Sequence, residues 1–135
     1  MNINDIGYFG IDVAINHKHF HVTLEYVGRE TVAYKKALLR SYPLGAKTKV
    51  TVDYFGRYKD ENCGFHVILD DVATPLFAGR IPHITTEVKN GGYAVNTWKA
   101  FTDLSSPDLE KRHMVITGTI GFFTHDGHFH TEYKG

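Results

Sequence analysis

The alternation of apolar and polar residues along most of the chain constrains its fold more than any other feature. Runs with a period of two, separated by short stretches rich in Gly, Asn, Asp and Pro, are typical of strands that bury one face and are joined by turns. The pattern predicts strands at 7–15, 19–28, 48–58, 64–71, 80–88, 113–123 and 128–133. Several of these strands are separated by only a few residues, which favours antiparallel hairpins.

Two segments break the alternation and are predicted to be helices. The first, 30–42, has apolar residues at helical spacing and is followed by Pro43. Its basic residues are predicted to face solvent: Lys35, Lys36 and Arg40. A second, short helix is predicted at 93–101.

Composition limits the possible functions. The chain has 135 residues, which suits one domain, and its 15 basic residues are balanced by 15 acidic ones. Binding along a duplex backbone needs an excess of cations, so a broad nucleic-acid face is not expected, whereas a nucleotide or one RNA end remains compatible. Cys63 is the only cysteine, which favours a reducing compartment such as the cytoplasm. Neither a signal peptide nor a membrane span is predicted.

Two short segments of similar pattern carry the functional signal. Residues 20–24 read Phe-His-Val-Thr-Leu and residues 82–86 read Pro-His-Ile-Thr-Thr, so each contains His-x-Thr in an apolar frame. Residues two apart on a strand point to the same face, about 6.6 Å apart, so each histidine shares a face with its threonine. The two histidines are 62 positions apart (83 − 21).

The order of elements around each motif indicates an internal duplication. Each half runs from a His-x-Thr strand through a helix or loop to a long strand, a short turn and a further strand. Residues 64–69 also resemble residues 127–132. We therefore predict an α+β fold of two pseudo-symmetric lobes, at about 1–75 and 76–135. Their antiparallel strands and flanking helices would surround a central cleft.

Two imidazoles and two hydroxyls that meet across such a cleft suit phosphodiester hydrolysis. Imidazole titrates near neutral pH, so one ring can take a proton from water while the other donates one to the departing ribose oxygen. The hydroxyls can hydrogen-bond the non-bridging oxygens. The predicted catalytic residues are His21, Thr23, His83 and Thr85. No cofactor and no metal are predicted.

On these motifs the chain resembles the 2H phosphoesterase superfamily, whose signature is two His-x-Thr/Ser motifs on duplicated α+β lobes. The first motif fits fully, whereas Thr86 stands where the second usually has an apolar residue. Residues 82–101 and 115–123 are most similar to the cyclic phosphodiesterase domain of plant and fungal tRNA ligases. This resemblance implies hydrolysis of a 2′,3′-cyclic phosphate, on an RNA end or a nucleotide, to a 2′-phosphate.

Two other functions stay open beside this one. The superfamily includes phage enzymes that degrade cyclic oligonucleotide messengers, so such a messenger is an alternative substrate. The fold could also serve as a module that binds nucleotide or RNA without catalysis. No membrane and no obligate protein partner are predicted.

Five further residues are predicted to contact the substrate. They are Tyr8 and Trp98 as stacking aromatic rings, Arg80 and Lys89 as cations near phosphate, and His19, which shares a face with His21. For the aromatic residues the structural alternative is packing within the strands or the short helix. For the cations it is simple exposure at strand ends.

The density of histidines permits a competing interpretation as a metal site. His17, His19 and His21 could join His128 and His130, and zinc favours a tetrahedral set of such nitrogen ligands. His17 falls in a predicted turn, however, and the spacing matches no known closed site.

Overall fold

The computed structural model describes residues 1–135 and contains every strand that the alternation predicts. The strands are β1 Ile6–Ile15, β2 Lys18–Tyr26, β3 Lys47–Tyr58, β4 Asn62–Leu69, β5 His83–Val88, β6 Glu110–Thr124 and β7 Phe129–His130. The single α-helix, α1, is Val32–Ser41, and three 3-10 helices are Ile3–Asp5, Thr74–Leu76 and Ala94–Phe101. The last of these is called the 94–101 helix below; it was predicted as a helix and has the tighter 3-10 geometry.

The strands close into a six-stranded barrel. Neighbours follow the order β1-β2-β5-β4-β3-β6, and β6 also pairs with β1, which completes the ring. The short β7 extends the sheet from β6. Every pair is antiparallel. Closure pairs both sides of each of the six strands and so removes the edges of an open sheet.

The predicted α+β fold of two lobes around a central cleft is wrong. Alternation identifies strands but not their partners, and the two longest strands pair with each other. Strand β3 has 12 residues and β6 has 15, and their register runs from Lys47↔Thr119 to Phe55↔Glu110. This pairing joins the last strands of the two halves and closes one all-β barrel in place of two lobes.

The core fills the inside of the barrel. Val22 and Leu24 of β2 and Ile84 of β5 point inward and are 0–1% exposed, as the alternation predicts. The other strands contribute buried residues to the same cluster: Phe9, Ile11, Val13, Val50, Val52, Val67, Ile120 and Phe122. Burial of each such side chain contributes about 1.5–3 kcal/mol relative to exposure.

Helix α1 packs on this core through a face that includes Lys35 as well as apolar residues at the expected helical spacing. Leu38 and Leu39 contact the core cluster, and Tyr42, directly after the helix, belongs to it. Lys35, predicted to face solvent, is only 2% exposed. Positions 35, 38, 39 and 42 have the spacing of one helix face, and the alkyl part of a lysine side chain can cover apolar surface.

The chain repeats one structural unit twice. Strands β1 and β2, helix α1 and β3 are followed by β4, β5, the 94–101 helix and β6. In the ring, β2 lies beside β5, with β1 and β4 on their outer sides and β3 next to β6. A local twofold axis between β2 and β5 therefore exchanges the two units. These two units correspond to the internal duplication expected from the sequence, and each begins one strand before its His-x-Thr motif.

Equivalent glycines let the first two strands of each unit approach closely. Gly10 lies opposite Thr23, and Gly64 lies opposite Thr85, each directly after an irregularity in its ladder. A Cβ atom on Gly10 would lie 2.6 Å from the carbonyl oxygen of Val22, and one on Gly64 would lie 2.1 Å from that of Ile84. Because the obstacles are backbone atoms, only a residue without Cβ fits at either place.

Gly64→Ala is expected to lower the free energy of unfolding by about 1–3 kcal/mol, the usual cost of forcing extra atoms into a packed site. Gly28→Ala is the matched control, since the nearest atom to its Cβ would belong to the His125 side chain, 3.2 Å away, and the nearest backbone atom, the carbonyl oxygen of Gly7, lies at an ordinary contact distance of 3.7 Å. Urea denaturation of the two variants and the parent protein measures the difference. Equal stability of Gly64→Ala and the parent would contradict the close approach of β4 and β5.

Candidate functional site

The two His-x-Thr motifs lie side by side on adjacent strands. Val22 pairs with Ile84 across the antiparallel β2–β5 contact, and both side chains point into the core. One step along each strand from this pair places the motif residues opposite one another on the outer face: His21 with Thr85, and Thr23 with His83. The structure thus brings together the four residues predicted as catalytic, on the outside of one barrel and not across a cleft between lobes.

A groove of about 400 Å³ opens beside the motifs. Thr23 and His83 line it, together with Arg80 and Trp98. The Arg80 guanidinium lies over the Trp98 ring, with Cζ 4.8 Å from the ring centroid. The groove therefore combines a hydroxyl, an imidazole, a cation and an aromatic ring, which are the kinds of group that contact phosphates and bases.

The ring of His83 is held by a hydrogen bond to the backbone just before β5. Its Nδ1–H donates a hydrogen bond of 2.8 Å to the carbonyl oxygen of Ile81. A carbonyl oxygen can only accept, so Nδ1 carries a hydrogen and Nε2 is the nitrogen that gains or loses a proton. Burial lowers the pKa of His83; the bond to Ile81 opposes this effect, and His66 lowers the pKa further. At neutral pH, Nε2 of His83 thus presents a lone pair.

His21 packs against Tyr8, with ring centroids 5.0 Å apart. Burial lowers the pKa of His21, the nearby His83 lowers it further, and Asp12 partly raises it. The two ring nitrogens of His21 have no hydrogen-bond partner in the protein. Only one side-chain atom without a partner, Asn62 Oδ1, is fully buried. The His21 nitrogens are therefore accessible to solvent or a ligand.

The two motif threonines differ in what their hydroxyls contact. Thr85 Oγ1 lies 2.8 Å from Thr97 Oγ1 and 3.1 Å from the carbonyl oxygen of Ala94, so its hydrogen is donated to the 94–101 helix. Thr23 lines the groove and makes no such bond. The hydroxyl that is free to bind a phosphate oxygen is therefore that of Thr23.

The remaining predicted contact residues fall in different places. Arg80 and Trp98 line the groove, whereas Tyr8 supports His21 from the side. Burial, with a smaller effect of Tyr26, raises the pKa of Tyr8 to about 12. Tyr8 thus stays a neutral hydrogen-bonding ring at physiological pH.

Two predicted residues lie outside the groove. His19 is on the face of His21 but on the side away from Thr23, where its Nδ1 bonds Asp12 Oδ2 at 3.1 Å and its side chain is 70% exposed. Lys89 follows the far end of β5 and forms an ion pair with Glu87 at 3.7 Å. The structure does not bring Lys89 to the motifs.

Sequence reasoning missed the strand neighbours of the two histidines. Asp12 lies opposite His21, and His66 lies opposite His83. His66 Nδ1–H donates to Asp53 Oδ1 at 2.7 Å. The sequence does contain a signal for Asp12 and His66, because the two segments that hold them are similar: residues 10–13 read Gly-Ile-Asp-Val and residues 64–67 read Gly-Phe-His-Val.

The histidine cluster considered as a metal site does not assemble. No group of three or more His, Cys, Asp or Glu side chains lies close enough together to hold a metal ion. His17 sits with Asn16 in the turn between β1 and β2, as predicted, and both residues have positive φ, 66° and 51°. Two successive residues of this conformation are typical of a tight hairpin turn.

Neither models of known protein families nor curated proteins match the sequence. No helix in the structure has the length and apolar composition that crossing a membrane requires.

Acid is expected to destabilise the protein through His21 and His83. Both pKa values lie below the ordinary 6.5, so at mildly acid pH the unfolded chain binds more protons than the folded one. Stability then falls as pH decreases below about 6.5, by at most about 1.4 kcal/mol per pH unit for each histidine. Urea denaturation at neutral and mildly acid pH measures the loss, which should be smaller in a His21→Gln/His83→Gln variant. An equal loss in that variant would contradict the lowered pKa values.

The threonines are expected to respond differently to replacement by valine, which has nearly the same shape. Thr85→Val removes the hydrogen bond to Thr97, a residue with 0% exposure, and should cost about 0.5–1.5 kcal/mol of stability. Thr23→Val should change stability by less than about 0.5 kcal/mol. Thermal or urea unfolding compares them, and a greater loss in Thr23→Val would refute the assignment of the free hydroxyl.

Proposed function

We propose that this protein is a phosphodiesterase that hydrolyses a 2′,3′-cyclic phosphate, on an RNA end or a nucleotide, to a 2′-phosphate without a metal ion. The observation that supports this best is the β2–β5 register, which aligns the two imidazoles on one outer face, where His83 and the free hydroxyl of Thr23 line an open groove. The cyclic phosphate and the 2′-phosphate product come from the resemblance of the motifs. The unpaired Cys63 favours the cytoplasm as the site of action.

The proposed reaction needs two proton transfers. One imidazole takes a proton from water as the water oxygen bonds to phosphorus. The bond from phosphorus to O3′ breaks, and the other imidazole, initially protonated, donates its proton to O3′. Exchange with solvent then restores both rings. Each transfer of this kind typically contributes ~10²–10⁴-fold to the rate.

The groove supplies groups for the phosphate and the base. The Thr23 hydroxyl and the Arg80 guanidinium are donors for the non-bridging oxygens, whose charge must be stabilised as phosphorus becomes five-coordinate. The contact of Arg80 with Trp98 holds the cation at the groove wall. Trp98 also presents an aromatic ring to the same space.

The position of Tyr26 favours a second class of substrate. Its side chain is 57% exposed and lies between the groove and a second cavity of about 510 Å³, which Arg29 also lines. An exposed ring between two cavities can stack on a base, which is worth ~1–3 kcal/mol. Each cavity also has one arginine, so the surface suits a ligand with two nucleotides, such as a cyclic oligonucleotide messenger.

A substrate panel in the presence of EDTA tests these proposals. We expect turnover of 2′,3′-cyclic nucleotides or RNA ends, with the 2′-phosphate identified by chromatography. His21→Gln and His83→Gln should each lower kcat/KM by at least about 10²-fold. His128→Gln, in the exposed turn before β7, is the matched control and should retain full activity.

Each alternative predicts a different result. Full activity in either motif variant, or activity that EDTA abolishes, would refute the paired-histidine mechanism. Turnover of cyclic di- or trinucleotides alone would replace the substrate with a messenger. Tight binding by calorimetry without turnover, weakened in Thr23→Val, would indicate a binding module.

A further inference from the structure

We propose that Asn62 is a positioning residue for the substrate. Through Thr97 it holds the 94–101 helix in its 3-10 form, and this form directs the Trp98 ring along the groove. The contact of Trp98 with a base rests on the proposed function. The placement of the Trp98 ring does not, and it can be measured in the protein without substrate.

One face of the 94–101 helix lies on the barrel. A 3-10 helix has three residues per turn, so residues three apart share a face. Thr97 and Ala100 form the face that contacts the sheet, because a Cβ atom on Gly64 would lie 2.8 Å from Thr97 and one on Gly56 would lie 3.4 Å from Ala100. The two glycines therefore provide the surface on which this face is seated.

The next face of the helix carries the groove residues. Val95 and Trp98 are three apart, and both line the groove. Each residue turns a 3-10 helix by ~120°, against ~100° in an α-helix, so a change of form would turn Trp98 relative to the seated face. Runs of more than about four residues in this form are uncommon, and this helix has eight. Its form thus depends on contacts with the barrel.

A chain of hydrogen bonds supplies these contacts. Asn62 Nδ2 donates to the carbonyl oxygen of Tyr93 at 2.6 Å and to Thr97 Oγ1 at 3.0 Å. Thr97 Oγ1 also lies 2.8 Å from Thr85 Oγ1, which in turn lies 3.1 Å from the carbonyl oxygen of Ala94. The chain joins the first turns of the helix to β4 through Asn62 and to β5 through Thr85.

Burial makes this attachment strong and fixes its orientation. Asn62 is 3% exposed and Thr97 is 0% exposed, so water does not compete for their bond. The carbonyl oxygen of Tyr93 can only accept, which turns the amide nitrogen of Asn62 towards the helix. Asn62 Oδ1 has no partner, and a buried unpaired acceptor lowers stability. An asparagine at this place is therefore explained by what its N–H groups hold.

The first unit has no counterpart of this attachment. The twofold axis places Tyr8 where the second unit has Asn62, since each precedes its equivalent glycine by two positions. The Tyr8 ring stacks on Phe123 of β6, with centroids 4.7 Å apart. A ring in this position cannot form the two bonds that the Asn62 amide donates. This difference accounts for a Thr85 that is tied to a helix and a Thr23 that is free.

The fluorescence of Trp98 tests the proposal in the free protein, because it is the only tryptophan. Asn62→Leu has a similar volume and no N–H groups. It should shift the emission to longer wavelength and increase quenching by acrylamide, since the released helix exposes the ring. Asn96→Leu is the matched control: Asn96 lies on the third face of the same helix, and its replacement should leave both signals unchanged.

A second pair of variants separates the hydrogen bonds from packing, and it serves if Asn62→Leu does not fold. Thr97→Val removes the hydroxyl and keeps the shape, whereas Thr97→Ser keeps the hydroxyl. The emission of Trp98 should change in Thr97→Val and stay near that of the parent protein in Thr97→Ser.

Kinetics test the consequence for the substrate. In an active enzyme, Asn62→Leu and Thr97→Val should raise KM for a 2′,3′-cyclic nucleotide by about 5- to 150-fold, the range expected when a base no longer stacks on Trp98. The value of kcat should stay within about threefold, because Trp98 takes no part in the proton transfers.

The outcomes separate this proposal from the proposed function. Unchanged Trp98 emission in folded Asn62→Leu would overturn it, as would equal changes in Thr97→Val and Thr97→Ser. Shifted emission with an unchanged KM in an active enzyme would overturn the role towards the substrate. Emission that shifts as expected in a protein without phosphodiesterase activity would uphold the placement of Trp98 by Asn62 and refute the proposed reaction.

Discussion

The pairing of Val22 with Ile84 is the contact on which both the barrel and the site depend. It is the only ladder pair between β2 and β5, whereas β3 and β4 share eight. Inside the barrel both side chains are fully buried, and outside it the pair aligns the two motifs. A slip of one residue would turn the motifs into the core and the apolar side chains outward. Burial of two aliphatic side chains, about 1.5–3 kcal/mol each, therefore also fixes the alignment of the polar groups.

The fold is close to symmetric, but the chemistry around the motifs is not. Gly10 and Gly64 occupy equivalent places and satisfy the same steric requirement in both units. A carboxylate, Asp12, lies opposite one motif histidine and an imidazole, His66, lies opposite the other, and the two motif hydroxyls differ in what they bond. A duplicated scaffold can thus supply two imidazoles at a fixed separation, and later differences in one strand position can give them different proton affinities.

The sequence predicts the strands and the outward face of each motif because both depend on local alternation. It does not predict the barrel, since the pairing of β3 with β6 is a contact between distant segments that the period of two leaves undetermined. The expected likeness of 64–69 to 127–132 also pointed to the wrong strand, because the axis relates 64–67 to 10–13. Nothing in the sequence indicates that Asp53 contacts His66. A bulge in β3 directs the Asp53 side chain to His66, and the alternation of residues does not predict where such a bulge occurs.

The closed barrel also explains why a site would lie on its outside. The side chains of even an eight-stranded barrel nearly fill its interior, so a ring of six strands leaves no interior space for a nucleotide. The walls of the groove are then formed by the segments that connect the strands. The segment before β5 provides Arg80, and the 94–101 helix provides Trp98. The bond from Thr85 to Thr97 ties that helix to the second motif. One hydroxyl of the symmetric pair is used to hold the wall in place, which leaves Thr23 as the donor that a phosphate can reach.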